Sequence, residues 1–395
     1  MKIIIALTVL FAIGCVSIYS AGHAKGMEGL VYRQSLWFAA GLAVIVVTQF
    51  FPMKNLLAVS NALYFVFILL LIAVAFFGSS KMGAKRWIEI GSLQFQPSET
   101  GKFFLICVLS RYYSAGRIDW SDKKVFLTGL FLTGIPALMV LKQPDLGTAV
   151  IYFIIFLSVI FAAGLPYFFI FNMAVLFTFV FAKTLGYQFF ITALIVYALI
   201  LNKYSKRIST LIILVSCAVL TGFASEMFWN RLKPYQQSRL MTFLDPEKFS
   251  TVGGWQIVQS KAAVSNGGLY GRGFLNGSQT QLRFLPEGHN DFIFSVLSEE
   301  FGLWGILILL SVFSYLFYRL VKIVGRTRNR HLYLTGSGIV ALLVVQTAMN
   351  IFVTLGILPV TGLTLPFVSY GGTALVINMF MVGVIMSIGK QEKII

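Results

Sequence analysis

The stretch DFIFSVLSEEFGLWGILILL, residues 291–310, is apolar enough for a membrane helix, yet it carries three carboxylates: Asp291, Glu299 and Glu300. An ionisable side chain at the centre of a bilayer helix costs roughly 2.5–3.5 kcal/mol even on insertion scales, so one that is kept there is a functional hypothesis by default. Helical spacing sets Ser295, Ser298 and Glu299 at i+4, i+7 and i+8 from Asp291, on one face, and turns Glu300 elsewhere. Asn290 or Asp291 could equally be an N-cap, since both residue types favour that position and the helix dipole there welcomes an anion. A cap accounts for one carboxylate and leaves Glu299, two turns deeper, unexplained.

Outward from this stretch the chain keeps the same character. Of its 395 residues 58% are hydrophobic and 11% charged, with a mean hydropathy of +0.85 that soluble domains do not reach. Apolar runs recur at 3–20, 36–51, 57–78, 100–114, 125–141, 149–164, 167–182, 187–201, 209–225, 292–318, 332–356 and 366–388. Each is near the ~20 residues a helix needs to cross ~30 Å of hydrocarbon. Their continuous rather than alternating hydrophobicity argues against a barrel. The sequence therefore predicts an all-α polytopic membrane protein, a bundle of about 12 transmembrane helices with one large extracytoplasmic loop. Its parts are 1–225 with about nine spans, the loop at 226–290, and 291–395 with about three spans.

The formal charge of +17 is not a nucleic-acid signature, because Lys and Arg punctuate the spans. With Lys2 in the cytoplasm, alternate short loops hold Arg111, Arg117, Lys123 and Lys124, then Lys203, Lys206 and Arg207, then Lys322, Arg326, Arg328 and Arg330, with Lys390 and Lys393 last. This positive-inside pattern predicts cytoplasmic termini and an external 226–290, a loop long enough to translocate despite its own basic residues. Residues 1–22 have the layout of a signal peptide but only Lys2 as n-region, and they are read as the first span. Cys15, Cys107 and Cys217 fall in apolar runs and imply no disulfide framework. His23, His289 and His331 are scattered without metal-ligand spacing, and no phosphate loop or dinucleotide fingerprint occurs.

Other charges gather at the same predicted outer face. Glu99 and Lys102 stand three apart in QPSETGKFFLICVLSRYY, either as a functional pair or as a first-turn acid with a snorkelling lysine. Asp145 in KQPDLGTAVIYF reads first as a helix start. Together with Arg239 and Asp291 these residues bring opposite charges to one side of the membrane.

The motifs GAKRWIEIGSLQFQPSE (83–99), QPDLGT (143–148), YQQSRLMTFLDPE (235–247), NGSQTQLRFLPEGHNDFIF (276–294) and GLTLPFVSYGGTA (362–374) resemble, in order and over nearly the whole chain, the series of the SEDS family, in its RodA-like, elongation-type forms. Two departures stand out: nine spans precede the large loop where that family's ten-span core has seven, and Asn290 replaces a more usual Thr. What the resemblance implies is a peptidoglycan glycosyltransferase that polymerises lipid II into glycan strands outside the bacterial cytoplasmic membrane during elongation. Its implied partners are a class B penicillin-binding protein, which crosslinks the product, and other elongation-complex membrane proteins. Asp291 matches the proposed catalytic aspartate. Trp87, Glu99, Lys102, Asp145, Arg239, Glu287 and Ser369 fall in the matching motifs as candidates for substrate binding.

That chemistry fits the residue types. A sugar hydroxyl attacking an anomeric carbon needs a base within reach, which a carboxylate supplies. The departing lipid diphosphate needs positive charge, from Lys102 and Arg239 or from a divalent cation such as Mg or Mn. The rival class is a flippase for lipid-linked precursors, whose intramembrane charges should lie near the midplane. A noncatalytic scaffold, the third reading, would tolerate loss of Asp291.

Overall fold

The computed structural model describes residues 1–23, 25–27, 29–81, 84–90, 93–116, 118–120, 122–166, 172, 175, 186–204, 215–223, 227, 237 and 254–392. Arg239, the apolar run 167–182 apart from two residues, and most of 226–253 lie outside them. The chain divides into two compact units, Met1–Ala163 with Thr242–Ile395, and Gly164–Met241.

In the first unit the elements run α1 Lys2–His23, α2 Gly29–Thr48, α3 Met53–Ala58, α4 Ser60–Phe77, β1 Ser79–Lys81, β2 Ala84–Ile90, β3 Leu93–Phe95, α5 Pro97–Ser114, α6 Lys123–Lys142 and α7 Leu146–Ala162. The second unit contributes α8 Tyr187–Tyr204, in which Phe190, Ala193, Leu194 and Tyr197 pack on Val215 and Ala218 of the helical residues 215–223. The first unit resumes with α9 Gly254–Gly267, α10 Ser278–Gln281, α11 Ile293–Val324, α12 Arg330–Thr354 and α13 Gly372–Gln391.

Among the described residues seven helices are long and apolar enough to cross a membrane: α1, α2, α4, α6, α11, α12 and α13. Helix α7 and residues 187–199 of α8 are shorter apolar helices, and α5 fills the run at 100–114 with a more polar sequence. Helices thus occupy the predicted runs where these are described, except that the last begins only at Gly372 and leaves 366–371 as loop. The segment 79–95 departs from an all-α chain: it folds into a small antiparallel sheet of order β1-β2-β3, pairing Ser79 with Trp87 and Ile88 with Phe95.

Local chemistry sets the helix starts. Pro97 opens α5, where its missing N–H costs nothing. Asp122 accepts from Lys124 N at 2.9 Å before α6, and Asn329 Oδ1 from Leu332 N at 3.1 Å before α12. Helix α12 runs between α5 and α7, and Gly338 makes the close approach possible: a Cβ there would stand 2.9 Å from Ile106 and 3.1 Å from Val159. Both chain ends reach one end of the bundle, where Gln391 Oε1 accepts from Met53 N and Glu392 from Arg328 N. Residues 77–81, 84–90, 93–97, 142–146, 254–293 and 354–372 occupy the other, the site end.

Helix α11 is not one span. At Gly302 the backbone takes φ 61° and ψ −156°, a conformation open essentially to glycine alone. The 22 residues after it, 303–324, are enough for ~33 Å, a full crossing, and Leu303, Trp304, Leu307 and Ile308 are exposed on them. Residues 293–300 before it are all buried in protein. The glycine-rich segment 267–273 closes the gap. Arg272 N and Gly273 N donate to the carbonyls of Glu299 and Glu300 at 2.9 and 3.0 Å, while Gly268 O and Leu269 O accept from Leu303 N and Trp304 N at 2.9 and 3.4 Å. A Cβ at Gly271 would collide with the Glu300 carbonyl, and one at Gly302 with Gly271 N.

Candidate active site

On α5, Lys102 is 0% exposed and its Nζ donates to Glu99 Oε1 at 2.6 Å, so the lysine does not snorkel to water. Glu99 Oε2 is buried with no hydrogen-bond partner among the described residues. A buried ion pair that leaves an acceptor unfilled is poor stabilisation, because desolvation consumes the Coulombic gain. Asp145 caps α7 as its sequence suggested, Oδ1 accepting from Thr148 N at 3.2 Å and Oδ2 from Thr148 Oγ1 at 3.0 Å. Arg86, next to Trp87 on β2, reaches the same carboxylate at 3.8 Å and also donates to the carbonyls of Gln143 and Pro144. Gln96 Nε2 adds a contact to Asp145 Oδ2 at 3.5 Å, and the Tyr152 hydroxyl donates to Ser98 O at 2.8 Å. The small sheet and the starts of α5 and α7 therefore form one charged cluster.

Asp291 lies on a separate mount. Helix α11 begins at Ile293 with Phe292 as its N-cap and no side-chain capping bond, so neither Asn290 nor Asp291 acts as the cap. Asn290 O accepts from Ser369 Oγ at 2.7 Å, and Asp291 O from Asn350 Nδ2 at 2.9 Å. Phe292 is buried with Ala21, Ala263, Leu285, Val296 and Val353. The loop between α12 and α13 links this mount to the charged cluster: Thr361 closes against Gly147, and a Cβ at Gly362 would stand 3.8 Å from Asp291 Oδ2. Ser369 is fully engaged, accepting from Leu365 N at 2.9 Å, and its carbonyl takes Gln34 Nε2 at 3.0 Å. Glu287 accepts from Asn290 Nδ2 at 2.8 Å and lies beside Lys25 and His289. Burial holds the His289 imidazole below its usual pKa against the opposing pull of Glu287, and so keeps it neutral at pH 7.

The shared face of Asp291, Ser295, Ser298 and Glu299 resolves into separate structural jobs. Ser295 Oγ meets Ser260 Oγ at 2.6 Å, and Ser298 Oγ donates to Phe294 O at 2.6 Å. Glu299 accepts four donors: Ser278 Oγ at 3.2 Å and Gln279 N at 2.8 Å on Oε1, and Thr280 N at 3.2 Å and Thr280 Oγ1 at 2.9 Å on Oε2. It caps α10 from outside that helix, as an anion at a helix N-terminus should. Glu300 takes the Ser20 hydroxyl of α1. Sequence reasoning missed Arg86, Gln34 and Asn350. The signal available for Asn350 was an amide inside the apolar run 332–356, whereas Gln34 lies between Arg33 and Ser35, ahead of its run, and carried none.

A polytopic helical membrane protein with buried charges gathered at one mouth of its bundle is what fold and site define. The cell cycle protein model covering FtsW, RodA and SpoVE matches residues 1–192 and 179–394, and the chain belongs to that family. It is 34% identical over 392 residues to the peptidoglycan glycosyltransferase MrdB of Escherichia coli K12, covering 98% of this chain and 94% of that one. To the peptidoglycan glycosyltransferase RodA of Treponema pallidum it is 32% identical over 426 residues, covering 99% and 97%. A chain of a peptidoglycan synthase complex, solved for its coordination of polymerization and crosslinking, superposes with a TM-score of 0.74 at 27% identity, covering 99% and 97%. The rod shape determining protein RodA of Thermus thermophilus shares the fold, with a TM-score of 0.65 at 24% identity over 99% and 96%.

Replacing Glu299 by Gln puts an amide N–H where two donors now find an acceptor. An unsatisfied buried donor costs ~1–3 kcal/mol, so the thermal midpoint in detergent should fall while turnover per folded molecule stays within about threefold. Unchanged stability with lost turnover would return Glu299 to the chemistry.

Proposed function

We infer that this chain is a peptidoglycan glycosyltransferase that polymerises lipid II into glycan strands at the outer face of the bacterial cytoplasmic membrane, with a class B penicillin-binding protein and other elongation-complex membrane proteins as partners. The observation that carries this is the mount of Asp291: a carboxylate at a loop-to-helix junction, fixed through its main chain, with loop 361–363 between it and both the buried Glu99–Lys102 pair and the pair of Asp145 with half-buried Arg86.

In the reaction the hydroxyl of an acceptor sugar attacks the anomeric carbon of a lipid-linked donor. The new C–O bond forms as the bond to the lipid diphosphate breaks, with inversion, and Asp291 takes the hydroxyl proton as base. The diphosphate is already a good leaving group, so no second carboxylate acts as acid. Its charge meets Lys102, whose ammonium has one carboxylate partner and two further N–H groups, and the family motif assigns a second cation to Arg239. Trp87, Asp145 and Glu287 are assigned to holding the substrate and Ser369 to shaping the site. A divalent cation, Mg or Mn, would need a ligand set, and no group of three His, Cys, Asp or Glu is placed for one among the described residues. Held instead by one or two carboxylates and the diphosphate oxygens themselves, such a cation would share this role with the basic side chains.

A flippase is the weaker reading because of depth. Lys102 lies five residues into α5, ~7.5 Å from its start and well short of a midplane ~15 Å down. The orientation rests on the distribution of Lys and Arg. A membrane-impermeant reagent should label a cysteine placed at Gly277 from outside and leave one at Lys390 unlabelled; the reverse would sink the orientation and the mechanism with it.

Asp291→Asn keeps the size of the side chain and removes its basic oxygen. Lipid II polymerisation by the purified protein with its transpeptidase should fall by roughly 10²–10⁴ with membrane yield unchanged, the usual worth of a positioned acid–base group. Long glycan chains from this variant would refute the base assignment. In the same assay Lys102→Met keeps the aliphatic stem and loses the charge, and a wild-type rate would remove the diphosphate role.

A further inference from the structure

Two carbonyls just ahead of α11, those of Asn290 and Asp291, point away from that helix, and each is taken by a side chain from elsewhere. Ser369 Oγ donates to Asn290 O at 2.7 Å and accepts from Leu365 N at 2.9 Å. Asn350, one turn from the end of α12 and 1% exposed, donates through Nδ2 to Asp291 O at 2.9 Å and to Leu363 O at 2.7 Å. Both neighbours of the Asn350 amide are acceptors, so its nitrogen must be the atom between them. Each side chain therefore staples segment 290–291 to segment 363–365, and Gln34 of α2 backs the Ser369 staple through Ser369 O and Gly371 N.

We propose that Asn350 and Ser369 are positioning residues for Asp291, acting through its main chain to hold the carboxylate where an acceptor hydroxyl can reach it. Three observations support a purpose beyond stability. Asn350 Oδ1 is buried without a hydrogen-bond partner among the described residues, a cost that an apolar residue of similar size would not carry. The staples flank Asp291 from two different segments, while Phe292 anchors the next residue in a hydrophobic cluster, so three consecutive residues are fixed by three separate contacts. Geometry at a reacting centre is demanding: a misplacement of about 1 Å costs on the order of a hundredfold in rate.

The inference rests on Asp291 as the base, and the test separates the two. Lipid II polymerisation would be followed for Asn350→Ala, Ser369→Ala and Asp291→Asn, each purified with the transpeptidase partner, resolving kcat from KM and recording the thermal midpoint. A displaced base lowers kcat, so both staple variants should lose roughly 10–100-fold in kcat with KM within about threefold and the complex intact. A merely structural role would instead lower the midpoint and leave kcat per folded molecule near wild type, which overturns the positioning. Should Asn350→Ala fail to accumulate, Ser369→Ala frees the Asn290 carbonyl and Leu365 N but leaves the Asp291 carbonyl held, and a wild-type kcat there overturns the inference equally. A hundredfold loss in Asp291→Asn beside wild-type staple variants removes the positioning alone. A wild-type rate in Asp291→Asn removes the base assignment, and the positioning with it.

Discussion

In hydrocarbon a backbone N–H or C=O has no water to turn to, and each one left unpaired costs several kcal/mol. This constraint governs the protein where α11 breaks at Gly302. The break strands two carbonyls, of Glu299 and Glu300, and two N–H groups, of Leu303 and Trp304, and all four are recovered by one short segment, 268–273. Because that segment is committed there, Gly277 is drawn against Glu299, whose carboxylate then holds the first residues of α10. The buried arm 293–300 is freed from crossing the bilayer and can carry the end of the loop before it, with Asp291 at its head.

The electrostatics follow from the same enclosure. Glu299 sits with four donors and is settled as an anion-binding post for a helix start. Glu99 and Lys102 hold each other but leave donors and an acceptor over. In a medium where charges are costly, a satisfied carboxylate is architecture and an under-satisfied pair is readiness for another charged group. On the proposed function, the work falls to α5 and the 291 junction and not to the interior of α11.

Much of this was legible in the sequence. The apolar runs located the helices, and the motif residues Glu99, Lys102, Asp145, Glu287, Asp291 and Ser369 are at the site end of the bundle. What stayed hidden has physical reasons. Glycine at 302 inside a run of Phe, Leu and Trp carries no periodic signal, so the break was unreadable and Glu299 looked like a deep, functional charge. Helical spacing then grouped Ser295, Ser298 and Glu299 with an Asp291 that the helix does not include. The strands at 79–95 are only three to seven residues long and depend on one another for pairing. Asn350 and Gln34 act on carbonyls more than fifty residues away in sequence, which no local pattern reveals.

The closure of α11 also limits how this chain can vary. Gly267, Gly271 and Gly302 face one another or the carbonyls of Ser298 and Glu300, so a side chain at any of them meets backbone, which cannot rotate aside. Leu269 and Tyr270, between the first two, are 60% and 81% exposed and free to drift. A one-residue insertion at 268–270 would shift the register of the segment and bring Tyr270 to the carbonyl that now meets Gly271. Sequence change in this loop is therefore permitted by position and forbidden by length, and descendants of the chain can lengthen the loop only beyond residue 273, on the side away from the break.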